Sequence, residues 1–300
     1  MKTAELKTRL AGNEFDAALA VNYKKEDIEL QKARYIRIAE SFEELYGADR
    51  DVQVFSAPGR TEVCGNHTDH NHGIVLAASV NLDAVAVAGK NNENIVRVKS
   101  EGYKMDVCDL SDLGVMPAER GKSASLVRGV CAGFRNRGYN IGGFDAATAS
   151  DVLSGSGLSS SAAFEVLLGT MLNHLYNDGA VDNVEIAKMA QFAENVYFGK
   201  PCGLMDQMAC AVGGFVYIDF ASPKDPIVDP INFSLTDAGY SLCIVNTGGN
   251  HADLNDDYAS VPFEMKAVAK EFGKDALRGL TEADVIAKIP ELRETLGDRA

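Results

Sequence analysis

The stretch SAPGRTEVCGNHTDHNHG, from Ser56 to Gly73, carries more information about this chain than any other. It places arginine, acidic, asparagine and histidine side chains between glycines, and few of these can fill an apolar core. Glycines allow tight backbone paths, and polar loops held between apolar segments commonly carry function. We therefore predict that this stretch is a polar loop that forms part of a ligand-binding or catalytic site.

The side chains of this stretch suit two kinds of ligand group. Arg60 offers a planar fork of donors that matches anionic oxygens. Asn66, His67 and Asp69 offer short, directional groups suited to the hydroxyls of a polyol. A site that binds both an anion and a polyol is the interpretation that these residues favour.

A zinc site is an alternative interpretation of the same stretch, with Cys64, His67, His70 and His72 as candidate ligands. The spacing of these four residues is crowded, and no second Cys/His pair stands at a finger-like distance. Polar residues that merely cap a strand or helix are a second alternative. Ligand binding is favoured over both because Arg60 and Asp69 lie in the same stretch.

Composition limits the class of protein. Three hundred residues predict two domains or one large one, and 46% apolar residues is typical of a soluble globular protein. A formal net charge of -14 disfavours nucleic acid and anionic membranes as partners. No apolar run is long enough to span a bilayer, and the N-terminal residues show no secretory signal. Six scattered cysteines predict reduced thiols and a cytoplasmic location.

Hydrophobic periodicity predicts an α+β fold, because strands and helices do not alternate regularly. SPKDPIVDP is the best candidate linker and predicts domains over residues 1–224 and 225–300. Helices are predicted over residues 26–46, 123–134, 158–176, 184–197 and 257–272. Strands are predicted near residues 52–56, 74–80, 84–88, 95–98, 105–110, 144–152, 214–220 and 242–246.

The segment SDVLSGSGLSSSAA, from Ser150 to Ala163, predicts a phosphate-binding loop between a strand and a helix. Its glycines allow the backbone to approach an anion, and the helix N-terminus favours negative charge. Three consecutive serines add hydroxyl donors and one candidate magnesium ligand. A simply capped helix is the alternative, although one serine would suffice for that. The segment is neither a Walker loop nor a dinucleotide fingerprint.

Two carboxylates also suggest function. Asp206 lies in KPCGLMDQMACAVGG, where small and apolar neighbours predict a site that excludes water. A buried carboxylate needs a partner, and Arg60 is the best candidate. Stabilisation of a helix N-terminus is the alternative for Asp206. Glu194 lies in QFAENVYFG, and taken alone it is typical of a solvated helix residue.

These segments together resemble the GHMP small-molecule kinases, and within them the galactokinase family. APGRTEVCGNHTDHNHG resembles the galactokinase signature, SGSGLSSSA the phosphate motif, and PCGLMDQMACAVG the segment with the catalytic aspartate. The resemblance extends from Val52 to Tyr258. It implies a two-domain fold with an N-terminal domain of ribosomal-protein-S5-like type. A third, glycine-rich motif of the family is not found before Ala300, so we expect an incomplete C-terminal domain.

The resemblance also implies roles for individual residues. Asp206 would be the catalytic aspartate, and Arg60 would stabilise the transition state. The expected hexose-binding residues are Asn66, His67, Thr68, Asp69, Gly203 and Tyr258. The expected nucleotide-binding residues are Ser100, Gly155, Ser156, Gly157, Leu158, Ser159, Ser160 and Ser161. The expected magnesium ligands are Ser161 and Glu194.

The implied reaction is transfer of the γ-phosphoryl group of Mg-ATP to the C1 hydroxyl of α-D-galactose. The family usually has Glu where this chain has Asn66, which leaves hexose selectivity open. A kinase for N-acetylgalactosamine, a catalytically silent sensor of galactose and ATP, and a zinc-binding module are the alternatives. The resemblance implies a monomer when the chain is full length.

Overall fold

The computed structural model of the chain describes residues 1–153, 155–245 and 255–300, without the side chains of residues 255–259. Its strands join one seven-stranded sheet in the order β4-β3-β5-β2-β6-β7, with β1 paired to β2. The strands are β1 (Gln53–Cys64), β2 (Ile74–Lys90), β3 (Ile95–Ser100), β4 (Asp106–Asp109), β5 (Phe144–Ser150), β6 (Phe215–Asp219) and β7 (Ile227–Ile231). The β3–β5 pair is parallel, and the other pairs are antiparallel.

Helices pack on both faces of this sheet. The helices of the described residues are α1 (Thr3–Ala11), α2 (Asp16–Leu19), α3 (Ile28–Tyr46), α4 (Ser123–Asn136), α5 (Ser160–Tyr176), α6 (Asn183–Phe192), α7 (Met205–Val212), α8 (Asn255–Glu271) and α9 (Glu282–Leu296), and α8 and α9 pack on each other. This mixture confirms the predicted α+β class. No helix in the described part of the chain is both long and apolar enough to cross a membrane.

The two faces of β2 divide the core. Val85 and Val87 point toward α1 and α3, and Ala84 and Ala86 point toward α4 and α5. This alternation follows from the two-residue period of a strand. Near the start of β2, Val75 packs against α7 in a third apolar cluster. That cluster fixes α7, and therefore its acidic residue, over the sheet.

The hairpin of β1 and β2 corrects the first prediction about the opening stretch. Ser56–Cys64 is strand and not loop, so only residues 65–73 connect β1 to β2. The predicted strands at 74–80 and 84–88 are one continuous strand, Ile74–Lys90. Backbone pairing with β2 sets the path of β1, with irregularities after Pro58 and Glu62. Apolar periodicity does not detect such a strand, because its polar side chains face a site.

In the C-terminal third of the chain, the predicted elements agree with the structure only in part. Ile227–Ile231, which overlaps the predicted linker of residues 222–230, is a strand that pairs with β6 at the sheet edge. The predicted strand at 242–246 is absent from residues 242–245, and Asn246 lies outside the described residues. The helix predicted at 257–272 corresponds to α8. The sequence analysis did not predict α1, α2 or α9. The division into domains at residue 224 stays a prediction.

A buried ion pair joins α3 to β2. Arg34 Nη1 donates to Asp83 Oδ1 at 2.7 Å, and Arg34 Nη2 donates to the Asp83 backbone oxygen at 2.7 Å. Both residues are almost fully buried. Tyr23 and Ser56 donate hydroxyl protons to the other carboxylate oxygen. Asp151 N donates to the Asp83 backbone oxygen, so this network also anchors the end of β5. Residues 155–161, which follow, are called the glycine- and serine-rich segment.

We expect Arg34→Met to lower the free energy of unfolding by about 3–5 kcal/mol, because the Asp83 carboxylate would stay buried without its partner. Chemical denaturation followed by circular dichroism measures this change. Arg37→Met is the matched control on the same helix. Arg37 pairs with Glu101 where both side chains are more than half exposed, so its loss should cost less than about 1 kcal/mol. Equal losses in the two variants would contradict the importance of the buried pair.

Candidate active site

The centre of the site is an ion pair between β1 and α7. Arg60 Nε donates to Asp206 Oδ1 at 2.7 Å, and Arg60 Nη2 donates to Asp206 Oδ2 at 2.7 Å. This two-point geometry matches the guanidinium fork to the carboxylate and fixes both side chains. The residues are 146 positions apart in sequence. The structure therefore confirms that Arg60 and Asp206 meet.

The glycine- and serine-rich segment contacts this pair directly. Ser159 Oγ donates to Asp206 Oδ2 at 2.5 Å, and Arg60 Nη1 donates to the Gly157 backbone oxygen at 2.6 Å. Arg60 N also donates to the Leu158 backbone oxygen at 3.1 Å. The segment and the ion pair therefore form one hydrogen-bonded unit.

The conformation of this segment agrees with an anion-binding loop. Gly155, Gly157 and Ser159 have positive φ angles of 73°, 78° and 58°. Ser159 precedes α5 but its hydroxyl does not cap the helix, so the capping interpretation is wrong for this serine. Ser156 Oγ donates to the Leu153 backbone oxygen, and Leu158 is buried in the core. α5 begins at Ser160, and a helix N-terminus favours phosphate.

Charge and burial compete at Asp206. Burial alone would raise the pKa of Asp206, but the charge and hydrogen bonds of Arg60 reverse the effect. The hydrogen bond from Ser159 and the nearby His67 act in the same direction, and the pKa of Asp206 is lowered below its ordinary value. The carboxylate therefore stays ionised at neutral pH. Its side chain keeps 24% of its surface accessible, so it faces a space that a ligand can enter.

The connection between β1 and β2, residues 65–73, lies beside this pair and is called the 65–73 loop below. Asp69 Oδ2 accepts a hydrogen bond from Met205 N at 3.2 Å, so the loop is attached to the start of α7. Asp69 Oδ1 is buried and has no hydrogen-bond partner among the described residues. Burial raises the pKa of Asp69, and the charge of Asp206 adds to the effect. A buried oxygen of this kind is a natural acceptor for a ligand hydroxyl.

Gly203 makes room for this carboxylate. A Cβ atom at residue 203 would lie 1.7 Å from Asp69 Oδ2, which no side chain can tolerate. His67 is partly exposed, and its backbone N–H donates to Glu62 Oε1 at 2.9 Å. Thr68 uses its hydroxyl inside the loop, where it donates to the Ile74 backbone oxygen. Asn66 is exposed and has a positive φ of 51°.

One predicted nucleotide-binding residue, Ser100, lies away from this centre. Ser100 ends β3, and its hydroxyl oxygen accepts a hydrogen bond from Thr148 Oγ1 at 2.9 Å. Thr148 belongs to β5, the strand that leads into the glycine- and serine-rich segment. Ser100 is therefore one strand away from that segment. The side chain of Tyr258 lies outside the described residues.

The predicted magnesium ligands do meet. Ser161 Oγ donates to Glu194 Oε1 at 3.1 Å. Glu194 is 2% exposed, so the interpretation as a solvated helix residue is wrong. It lies in a π-helical turn, Ala193–Phe198, and such turns often occur at functional sites. Gln207 Nε2 donates to Glu194 Oε2 at 2.7 Å, which fixes the direction of the carboxylate.

Sequence reasoning missed two polar residues behind Glu194. Gln207 Nε2 donates to Glu165 Oε2 at 3.1 Å, and both residues are fully buried. Burial, followed by the charge of Glu194, raises the pKa of Glu165 well above its ordinary value. The available signal was a polar residue within an apolar helix segment, AAFEVLLG for Glu165 and MDQMACAV for Gln207. Such positions need a buried partner, which the sequence does not identify.

The donor set around Ser161 and Glu194 fits magnesium, which prefers oxygen ligands from one or two protein groups together with phosphate oxygens and water. A buried carboxylate and a hydroxyl 3.1 Å apart supply such oxygens beside the glycine- and serine-rich segment. The described part of the chain contains no cluster of three His, Cys, Asp or Glu side chains arranged to hold a metal ion.

Comparison with known proteins gives two family matches. The GHMP kinases N terminal domain matches residues 125–214, and the galactokinase galactose-binding signature matches residues 40–90. Among curated proteins, the galactokinase of Streptomyces coelicolor is 35% identical over 87% of this chain and 66% of its own length. The galactokinase of Actinobacillus pleuropneumoniae is 35% identical over 85% of this chain and 65% of its own length. The chain thus spans slightly less than two thirds of these relatives.

A solved structure agrees with the fold. Lactococcus lactis galactokinase, complexed with galactose, superposes with a TM-score of 0.69 and 24% identity over 84% of this chain and 66% of that chain. Methanococcus jannaschii mevalonate kinase superposes with a TM-score of 0.54 and 16% identity over 82% of this chain and 80% of that chain. At these identities the likeness establishes the fold only. Both family matches and the curated relatives point the same way, and the chain belongs to the galactokinase family of GHMP kinases.

Proposed function

We propose that the whole protein transfers the γ-phosphoryl group of ATP to the C1 hydroxyl of α-D-galactose and forms α-D-galactose 1-phosphate. The observation that carries this proposal is the ion pair of Arg60 and Asp206, which Ser159 joins to the glycine- and serine-rich segment. This arrangement would put an ionised carboxylate next to the phosphates of ATP. The curated relatives named galactokinase, and a related galactokinase structure complexed with galactose, support the choice of substrate.

Phosphoryl transfer depends mainly on positioning and on neutralisation of charge. Gly155, Ser156, Gly157, Leu158, Ser159, Ser160 and Ser161 would surround the phosphates of ATP, with the N-terminus of α5 behind them. Ser100 would lie near the rest of the nucleotide. Arg60 would stabilise the negative charge of the transferring group as it moves toward the sugar.

Asp206 would orient the C1 hydroxyl and accept its proton. Arg60 lowers the pKa of Asp206, so the carboxylate is ionised and able to accept a hydrogen bond at neutral pH. A base of low pKa removes a proton poorly, so orientation contributes more than proton abstraction before the transition state. The proton reaches Asp206 as the oxygen–phosphorus bond forms.

The hexose would bind between the 65–73 loop and the start of α7. Asp69 Oδ1, buried and without a partner among the described residues, would accept a hydrogen bond from a sugar hydroxyl. Asn66 and His67 would contact further hydroxyls, and Thr68 would keep the loop in shape through its bond to Ile74. Gly203 and Tyr258 would complete the pocket.

Ser161 and Glu194 would hold magnesium beside the phosphate loop. The ion supplies charge neutralisation at the phosphate oxygens. Gln207 keeps Glu194 Oε2 occupied, and Oε1 accepts hydrogen bonds from Ser161 and from Lys200 Nζ at 3.4 Å, a cation whose place magnesium would take. A hydrogen bond from Gln207 thus orients the carboxylate ligand, and such bonds to ligating residues are usual at metal sites.

The division into an N-terminal domain over residues 1–224 and a C-terminal domain over residues 225–300 rests on the linker-like composition of SPKDPIVDP. The scattered cysteines support a cytoplasmic location, and the resemblance supports a monomer. Neither an N-acetylgalactosamine kinase nor a silent sensor is favoured by any contact in this site.

We expect Asp206→Asn to lower kcat by several orders of magnitude in the whole protein while galactose still binds. The amide keeps the shape of the carboxylate but cannot accept the proton, and it loses the charge that pairs with Arg60. A coupled ADP-release assay measures kcat, and calorimetry measures galactose affinity. Asp225→Asn, an exposed turn position, is the control. Near-normal turnover of Asp206→Asn would refute the role of Asp206.

We expect Arg60→Met to move the acid limb of the kcat/KM profile to higher pH. Arg60 lowers the pKa of Asp206, and without it the burial of that carboxyl group would raise the pKa. Asp206 would then become protonated, and inactive, at a pH where the unmodified enzyme still carries the ionised form. The pH dependence of the residual activity provides the measurement. An acid limb at the same pH in both proteins would contradict this electrostatic role.

We expect Ser161→Ala to raise the magnesium concentration needed for half-maximal activity by about tenfold, because one oxygen ligand is lost. Titration of magnesium at saturating ATP and galactose measures the shift. Ser222→Ala, in an exposed turn, should leave the titration unchanged. An identical titration for Ser161→Ala would remove Ser161 from the proposed ligands.

A further inference from the structure

We propose that Asn71, Asp219 and Arg278 are positioning residues that hold the 65–73 loop in its ligand-binding shape. These residues tie the loop to the end of β6 and to the segment between α8 and α9. The identity of the ligand rests on the proposed function, but the mechanical role of the three residues does not. Nothing in the motifs that identify the family assigns this role to Asp219 or Arg278.

The loop needs external support because its backbone is strained. Asn66, His67 and His72 have φ angles of 51°, 54° and 58°, which non-glycine residues seldom adopt. Such residues persist only when their surroundings impose the conformation. Gly73 is packed so closely that a Cβ atom there would lie 2.4 Å from the side chain of Thr68.

One side of the loop is held by the elements that carry the catalytic pair. Glu62 of β1 accepts a hydrogen bond from His67 N, and Met205 N of α7 donates to Asp69. These contacts lie at the N-terminal half of the loop. They do not restrain the strained His72 at its other end.

The C-terminal half of the loop is held from the opposite side. Asn71 is 6% exposed, and both the nitrogen and the oxygen of its side-chain amide form hydrogen bonds. Asn71 Nδ2 donates to the sulfur of Met265, in α8, and Asn71 Oδ1 accepts a hydrogen bond from Leu277 N at 3.3 Å. A buried amide in the loop is therefore satisfied by groups about 200 residues later in the chain.

Arg278 makes the largest number of these contacts. Its Nη1 donates to the His72 backbone oxygen at 2.5 Å, and its guanidinium pairs with both carboxylate oxygens of Asp219 at 2.5 and 3.0 Å. Asp219 ends β6 opposite Ile74, the first residue of β2. Arg278 thus connects the left-handed residue at the end of the loop to the end of β6, an inner strand of the sheet.

The guanidinium is suited to this task for a geometric reason. It offers several donors in one plane and can bind a carboxylate and a backbone oxygen together. A lysine could pair with Asp219 as a point charge but could not keep the same set of contacts. We therefore expect Arg278→Lys to be intermediate between the unmodified protein and Arg278→Met.

The experiment compares Arg278→Met and Arg278→Lys with Arg293→Met as the matched control. Arg293 pairs with Asp298 at 3.0 Å, and both side chains are largely exposed on α9 and the residues after it. Galactose affinity and ATP affinity are measured separately by calorimetry in the whole protein. Hydrogen exchange is measured at the amides of residues 66–73 without any ligand.

We expect Arg278→Met to bind galactose about tenfold more weakly, which corresponds to the loss of one charge-assisted hydrogen bond. ATP affinity should stay unchanged, because the bonds that Arg278 makes in the structure go to His72 and Asp219. Exchange at residues 66–73 should be faster in Arg278→Met and unchanged in Arg293→Met. A general loss of stability would instead weaken both ligands.

Unchanged exchange at residues 66–73 in Arg278→Met would overturn the proposal. Equal losses of galactose and ATP affinity would also overturn it, because they indicate a purely structural role. If the unmodified protein binds ATP but no galactose, the proposed function fails, and exchange alone then decides the positioning role. Non-additive effects of Arg278→Met and Asp219→Asn on exchange would support the link between these two residues.

Discussion

The Arg60–Asp206 ion pair is the interaction on which the rest of the site depends. It joins the hairpin of β1 and β2 to α7, and through Ser159 and Gly157 it also fixes the loop that precedes α5. Burial of the carboxylate without a partner would be costly, so Arg60 stabilises the ionised form of Asp206 in this place. The same contact that stabilises the junction of three elements also keeps the carboxylate ionised.

Two loops converge on this pair, and each is held by contacts with parts of the chain that are distant in sequence. The glycine- and serine-rich loop follows β5, whose end is anchored by the buried Arg34–Asp83 network. The 65–73 loop is held by α7 on one side and by Arg278 on the other. Strained residues in both loops are tolerated because packed strands and helices surround them.

A buried polar cluster supports the second half of the site. Gln207, next to Asp206 in sequence, points away from it and bridges Glu165 and Glu194. One short helix therefore supplies both the carboxylate at the ion pair and the amide that orients the candidate metal ligand. The apolar face of α7 packs against Val75 and Val216, and this packing holds the helix in place. A displacement of α7 would disturb both the ion pair and the candidate metal ligand.

Local composition and periodicity were enough to predict the α+β class, the chemistry of the three motifs and most of the long helices, because these features depend on residues close together in the chain. The same local information missed the strand Ser56–Cys64, whose polar residues conceal a backbone pairing with β2. Considered by itself, Glu194 was predicted to be exposed to solvent, although its side chain is buried against Ser161 and Gln207. The chemistry of the motifs predicted that Arg60 pairs with Asp206, and the structure confirms this contact. The contacts of Glu194 with Gln207, and of residue 72 with residue 278, follow only from the packing of distant elements, because such contacts leave no periodic trace in the sequence.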